Sequence, residues 1–299
     1  MRPRKAGGSG SRSGGLLGRR EFLLQGTTVA VGGLMLGRAH AAPQDPPKPT
    51  PPPPVETNLA DYLEVPRGPL SLPGPFPGKV VQVVDPACLA GDKVDAKVVA
   101  AMLERGITRL TGKNMKESFG LLFKPEDVVG LKVNPVGAPL ISTRLELTAA
   151  VIAWLRECGL PAKNIVIWDR FQESLDEAGY TAKNFPEVRI EALQVRPKDG
   201  KSWRDEKGRH LSEERFDLQA FYLAKGVVAV PDRQHATLDS YLNQHVFKDE
   251  HSYFGKLVTK TLTKIVNLPV FKNAGAGISM ATHNLGYGAT CHTGTRHPR

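Results

Sequence analysis

The residues able to do chemistry stand at the ends of apolar runs. Asp85 closes one run, Lys132 with Asn134 the next, then Asp169 with Arg170, Asp232 with His235, and Asn267 with Lys272. Lys132, Arg144 and Lys272 supply positive charge. Asn134, Asn267 and Asn284 add amide donors suited to carboxylate or phosphate oxygens. Arg144 falls in the first turn of a segment with a helix signature, where unpaired backbone N–H groups reinforce a positive field. This set fits a small anionic organic ligand. Lys132 and Lys272 would hold and polarise it, and a buried Asp169 would move a proton. Asp169 as a cap on the following segment is the other reading.

Rival chemistries lack their signatures. Neither GxGxxG nor GxxxxGK followed by Ser or Thr occurs, and Gly275-x-Gly277 alone is a weak phosphate signal. There is no GxSxG elbow, and Ser279 sits in an apolar context that reads as helical. His210, His235, His245, His251, His283, His292 and His297 form no HExxH or other tight pair. His235 with Asp232, or His292 with Cys291, would give a metal one ligand each, so no metal site is expected. Cys88, Cys158 and Cys291 contain no CxxC pair. Cys88 and Cys158 read as small buried hydrophobes. The sequence specifies no cofactor.

The elements that must carry these residues alternate. Short apolar runs at 80–84, 128–133, 165–168, 188–193, 227–230 and 264–268 read as strands. Val94 to Arg105 reads as a helix stopped by Gly106, and Met115 to Phe123 as another. Thr143 to Cys158 carries the clearest helix pattern. Thr143 and Glu146 form a capping-box pair, Gly159 supplies the left-handed end and Pro161 blocks continuation. Residues 200–214 are charged and read as a surface excursion. Apolar strands alternating with amphipathic helices predict an α/β fold, with a mostly parallel sheet and helices on both faces. Ligands in such sheets sit beyond the carboxyl ends of the strands.

Charge must be read with the N-terminus set aside. The 299 residues hold 40 Lys and Arg against 30 Asp and Glu. A basic stretch, an apolar core from Phe22 to Leu36 and Ala39-His40-Ala41 make residues 1–41 an export signal with a cleavage site. Arg19-Arg20-Glu21-Phe22-Leu23 resembles a twin-arginine signal, which implies the twin-arginine translocation machinery as partner and a periplasmic location. Residues 1–41 carry seven Lys and Arg and one acid, so the remainder has 33 basic and 29 acidic side chains. A net charge of +4 over that remainder removes the compositional case for nucleic acid. No apolar run is long enough to span a bilayer, so no membrane anchor is expected after cleavage. Residues 42–78 read as a linker. Eight prolines between Pro43 and Pro54 favour polyproline II, a spacer of about 37 Å at about 3.1 Å per residue. Residues 79–299 form the α/β domain. A composition of 40% hydrophobic and 23% charged residues excludes wholesale disorder.

Three blocks carry a likeness. They are Val129-Gly130-Leu131-Lys132-Val133-Asn134-Pro135, then Ser142-Thr143 through Asn164-Ile165-Val166-Ile167-Trp168-Asp169-Arg170, and Asn267-Leu268-Pro269-Val270-Phe271-Lys272 with Gly277 to Gly288. Together they resemble the domain of unknown function 362 family in its twin-arginine-exported form, over roughly Lys79 to Gly288. The resemblance implies an α/β fold and no established reaction. Iron–sulfur relatives need a Cys run that is missing here. The family pattern has Lys at the position of His283 and often His near Asn273. It also continues well past Gly288, so a truncated terminus is expected at Arg299. Two functions of different class follow: an exported enzyme acting on a small anion, or an exported binding or scaffold protein of the cell envelope.

Overall fold

Two fully buried runs set the middle of the sheet. In the computed structural model, which describes residues 56–68, 71, 74–195, 213–223, 251–274 and 277–291, these are β3 and β4. β3 is Val129–Val133, buried at every position, and β4 is Ile165–Phe171. With β5 (Arg189–Gln194) and β8 (Lys264–Leu268) they form a four-stranded sheet in the order β5-β4-β3-β8. Every pairing in it is parallel. The remaining strands are antiparallel pairs: β1 (Leu89–Ala90) with β2 (Lys93–Val94), β6 (Phe216–Leu223) with β7 (His251–Gly255), and β9 (Lys272–Ala274) with β10 (Gly277–Ser279).

Alternation along the strands builds two cores. Val129, Leu131, Ile165 and Ile167 enter one, against α2 (Ala96–Thr111), α3 (Met115–Leu122) and α4 (Leu145–Glu157). Val166 and Trp168 enter the other, with Leu257 and Leu262 around the π-helical turn Leu257–Thr261 and Leu285 of the C-terminal helix Ala281–Gly288. A short helix, α1 (Leu59–Leu63), lies within the stretch read as linker, and α5 (Gln172–Glu177) follows β4. The C-terminal helix is therefore α6. Around α1, the Asn58 amide and the Tyr62 hydroxyl donate to the Phe221 carbonyl at 2.8 and 2.5 Å. Among the described residues, no helix is long and apolar enough to cross a membrane.

The described fold is thus helices with a four-stranded parallel sheet, an α/β arrangement. The chain leaves β3 through α4 to β4 on one side, while β8 lies on the other side of β3. That divergence opens a crevice at the carboxyl ends of β3, β4 and β8.

Several local expectations are corrected. Residues 80–84 form no strand; Val80 and Val84 are exposed. Val83 instead lies beside Gly106 of α2 at 3.6 Å from where a Cβ would stand. An apolar run needs a ladder partner to become a strand, and the described sheet offers none. α2 runs through Gly106 to Gly112, whose φ of +72° ends it. Leu103 and Ile107 both face the core, and their packing outweighs the ~1 kcal/mol helix cost of one glycine. Asp169 and Arg170 lie inside β4 rather than after it. Ser279 ends β10 and is not helical. Cys291 is buried, whereas Cys88 and Cys158 are only partly so. The runs at 227–230 and 200–212, residues 1–41, Asp232 and His235 lie outside the described residues.

Candidate functional site

Thr143 does not close a capping box. Its hydroxyl donates to the Leu268 carbonyl at 2.6 Å and accepts from the backbone N–H of Asn134 at 2.8 Å. Its own N–H donates to the Asn134 carbonyl. One threonine thereby ties the ends of β3 and β8, and Arg144 stands at the N-cap with no side-chain cap bond. Tyr180 fixes this knot from below. Its hydroxyl donates to the Thr143 carbonyl at 2.9 Å and lies 3.1 Å from the Thr148 hydroxyl. Tyr180 is fully buried, and its ring stacks on Phe185. Burial pushes the phenol up to about 12; the Thr148 hydrogen bond opposes this, while Glu146 and Asp169 add to it. The raised value means that Tyr180 stabilises the fold fully below about pH 10, and that this is lost as pH rises through about 12. Tyr180→Phe is expected to cost about 1–2 kcal/mol at pH 7. It should also remove about 2 kcal/mol of the alkaline loss. Urea midpoints at neutral and alkaline pH measure both.

Lys132 is the key departure from an apolar strand. It shares a sheet face with Gly130 and Trp168 and is 1% exposed. Its ammonium forms an ion pair with Asp169 and donates to the Val133 carbonyl at 2.7 Å and to Asn284 Oδ1 at 3.0 Å. The Nζ also sits 5.5 Å from the Trp168 ring centroid, a cation–π distance. Asn284 is itself held, its amide donating to Asn267 Oδ1 at 2.8 Å, while Asn267 donates to the Ala281 carbonyl at 2.7 Å. Asn267 thus orients Asn284.

Lys272 reaches the same place from β9. Its ammonium donates to Asn134 Oδ1 at 3.1 Å, to the Val136 carbonyl at 2.7 Å and to the Ile141 carbonyl at 3.1 Å. All three acceptors are neutral. Burial lowers its pKa from 10.5, and the Asp169 carboxylate only partly offsets this. Arg170, next to Asp169, donates through Nε to Gln194 at 2.7 Å and places its guanidinium 4.8 Å over the Phe171 ring.

Lys132, Asn134, Asp169, Arg170, Lys272 and Asn284 line one cavity of about 230 Å³. Three cations face one carboxylate there. His283 and Tyr287 complete its wall from α6, their rings 4.5 Å apart. The expectation for Arg144 is corrected. Its side chain is turned to the Pro139 and Leu140 carbonyls at 2.9 and 3.4 Å, and it does not line the cavity. Asn267 also stays behind the wall. Asp85 lies elsewhere, paired with Arg105 at 2.6 Å, which holds its carboxyl below the usual range. Tyr287 was not legible beforehand. The signal for it is the His283, Asn284, Tyr287, Gly288 spacing, one face of a helix once that helix is placed.

A wider depression of about 560 Å³ lies outside α4, along Ala149, Ile152, Ala153 and Phe185. Its charged groups are Arg156, which pairs with Glu187, and Glu157, so it offers an anion no excess of positive charge. The described residues contain no cluster of three or more metal-ligating side chains. Comparison of the chain with protein-family models, curated proteins and solved structures returns no match.

Proposed function

We propose that this is an exported protein that binds a small anionic organic ligand at the carboxyl edge of the sheet. The observation that carries the reading is the convergence of Lys132 and Lys272, from β3 and β9, on one cavity. Lys272 has lost water and gained only neutral partners, so an incoming carboxylate or phosphate supplies the counter-charge it lacks. At ~30 Å³ per water the space holds about eight waters, which limits the ligand to a small anion.

The resemblance to the domain of unknown function 362 family supports the same site. Each of its three blocks contributes to the cavity: Lys132 and Asn134, then Asp169 and Arg170, then Lys272 and Asn284. In this reading the α/β domain of residues 79–299 has helices on both faces of a mostly parallel sheet. The signal of residues 1–41, with Arg19, Arg20, Phe22 and Leu23, takes it through the twin-arginine translocation machinery to the periplasm. A non-catalytic binding role is the second reading. What favours it is that Lys132 and Lys272 each already have three protein acceptors, a static arrangement.

Thermal unfolding of the full chain with inorganic phosphate and with malonate tests the anion site. At a hundredfold excess over Kd the stabilisation expected is about 2.7 kcal/mol, or roughly 5–10 °C in Tm. Lys272→Ala should abolish the shift. Arg144→Ala, which loosens the same loop without touching the cavity, should leave it intact. An equal loss in both variants would assign the effect to the loop and not to the cavity charge.

A further inference from the structure

Lys132 is buried, yet it lines an open space. As pure structure this ion pair is hard to explain. A buried pair stabilises a fold no better than well-packed apolar residues of similar volume. Here the pair faces a cavity, its carboxylate is positioned to receive one of the ammonium protons, and two further cations share the wall.

We propose that Lys132 is a carbonyl-reactive amine, and that the anions entering the cavity are small 2-oxo acids captured as Schiff bases on Nζ. This rests on the anion site proposed above and names its ligand class. A 2-oxo acid carries a carboxylate directly beside a ketone or aldehyde. Lys272 and Arg170 face its carboxylate while Lys132 meets its carbonyl. Asp169, which already accepts from Nζ, takes a proton from the ammonium. The freed nitrogen lone pair forms a C–N bond to the carbonyl carbon, and the C=O π pair moves onto oxygen. That oxygen gains two protons, one by way of Asp169 and one from the nitrogen, and leaves as water. An ammonium and a carbonyl become an iminium and water, with charge and atoms conserved and no oxidant or reductant required. Lysines held in desolvated sites are suited to this chemistry. Asn284, donating nothing to Nζ and accepting one of its hydrogens, fixes the direction of the amine.

The test is reductive trapping. The full chain is incubated with pyruvate, then treated with sodium borohydride, which converts the iminium to a stable secondary amine. Peptide mass mapping locates the adduct. The expected result is labelling on the Lys132 peptide about tenfold above any peptide carrying the exposed Lys97, Lys116 or Lys163, a preference of ~1.4 kcal/mol. Acetone, which lacks the carboxylate, should label Lys132 far less than pyruvate does. Lys132→Arg should remove the adduct, and Lys272→Ala should lower its yield. The wild-type map stands even if a variant does not fold. Even labelling across all lysines overturns the proposal, and so does equal labelling by acetone and pyruvate. No adduct in a protein that phosphate and malonate stabilise overturns this inference and leaves the anion site standing. No adduct and no stabilisation removes both.

Discussion

Replacing Lys132 by Met should destabilise the protein by about 3–5 kcal/mol at pH 7. The methionine fills nearly the same volume, so cavity formation is not the cause. The cost comes from Asp169, which is 4% exposed and loses its counter-charge, and from Asn284 Oδ1 and the Val133 carbonyl, which lose a donor. Asp169→Asn should cost a similar amount for the mirrored reason. The double variant, Lys132→Met with Asp169→Asn, buries no net charge. It should recover most of the loss, with a coupling of about 3 kcal/mol in a urea double-mutant cycle. Additive losses would show that the two side chains do not act as a pair. The double variant should also fail to bind phosphate or malonate while remaining folded, which separates the role in binding from the role in stability.

Gly288→Ala should give the second large effect, with the opposite sign to helix propensity. Alanine in a helix is favoured over glycine by about 1 kcal/mol. A Cβ at Gly288 would stand 2.6 Å from Lys132 Nζ and closer still to its Cε. Lysine tips often swing away from a new methyl group, but this one is buried and held by three hydrogen bonds. The expected outcome is a net loss of about 2 kcal/mol or more, from overpacking and a displaced ion pair. Gly286 is the internal control. It lies on the same helix with nothing within 4 Å of a built Cβ. Gly286→Ala should be neutral, or stabilising by up to about 1 kcal/mol. Paired thermal melts of the two variants decide the matter, and equal behaviour would contradict the close approach of α6 to Lys132.

The parts legible in the sequence are those governed by local pattern. Val129–Leu131 of β3 and Ile165–Trp168 of β4 are apolar stretches, and burial on both sides of a parallel sheet gives that pattern. Lys132 reads from the sequence as a cation at the end of the 128–133 run. The errors arise where a distant residue competes with a local motif. Thr143 has the spacing of a capping box, yet its hydroxyl goes to Leu268, 125 positions away. Gly106 has the look of a helix end, yet the apolar period continues through Leu103 and Ile107 onto the core. The 80–84 run has strand composition but no neighbour to pair with among the described residues. Arg144 follows the same logic: its place near a helix start was evident, while its bonds to the Pro139 and Leu140 carbonyls depend on how the loop folds back. The α6 side of the cavity, with His283 and Tyr287, required knowing that residues 281–288 form a helix laid over the ends of β3 and β8.

The most direct test is calorimetric titration of the full chain with inorganic phosphate, run in buffers of different ionisation enthalpy. Lys272 titrates below its ordinary 10.5 because it is desolvated among neutral acceptors. An anion beside it favours the ammonium. Phosphate binding at alkaline pH, between the lowered value and 10.5, should therefore take up protons, and affinity should fall as pH rises through that window. Lys272→Ala should abolish the uptake. Absence of binding heat, or binding whose proton uptake is the same in wild type and Lys272→Ala, would contradict a cationic pocket at the sheet edge.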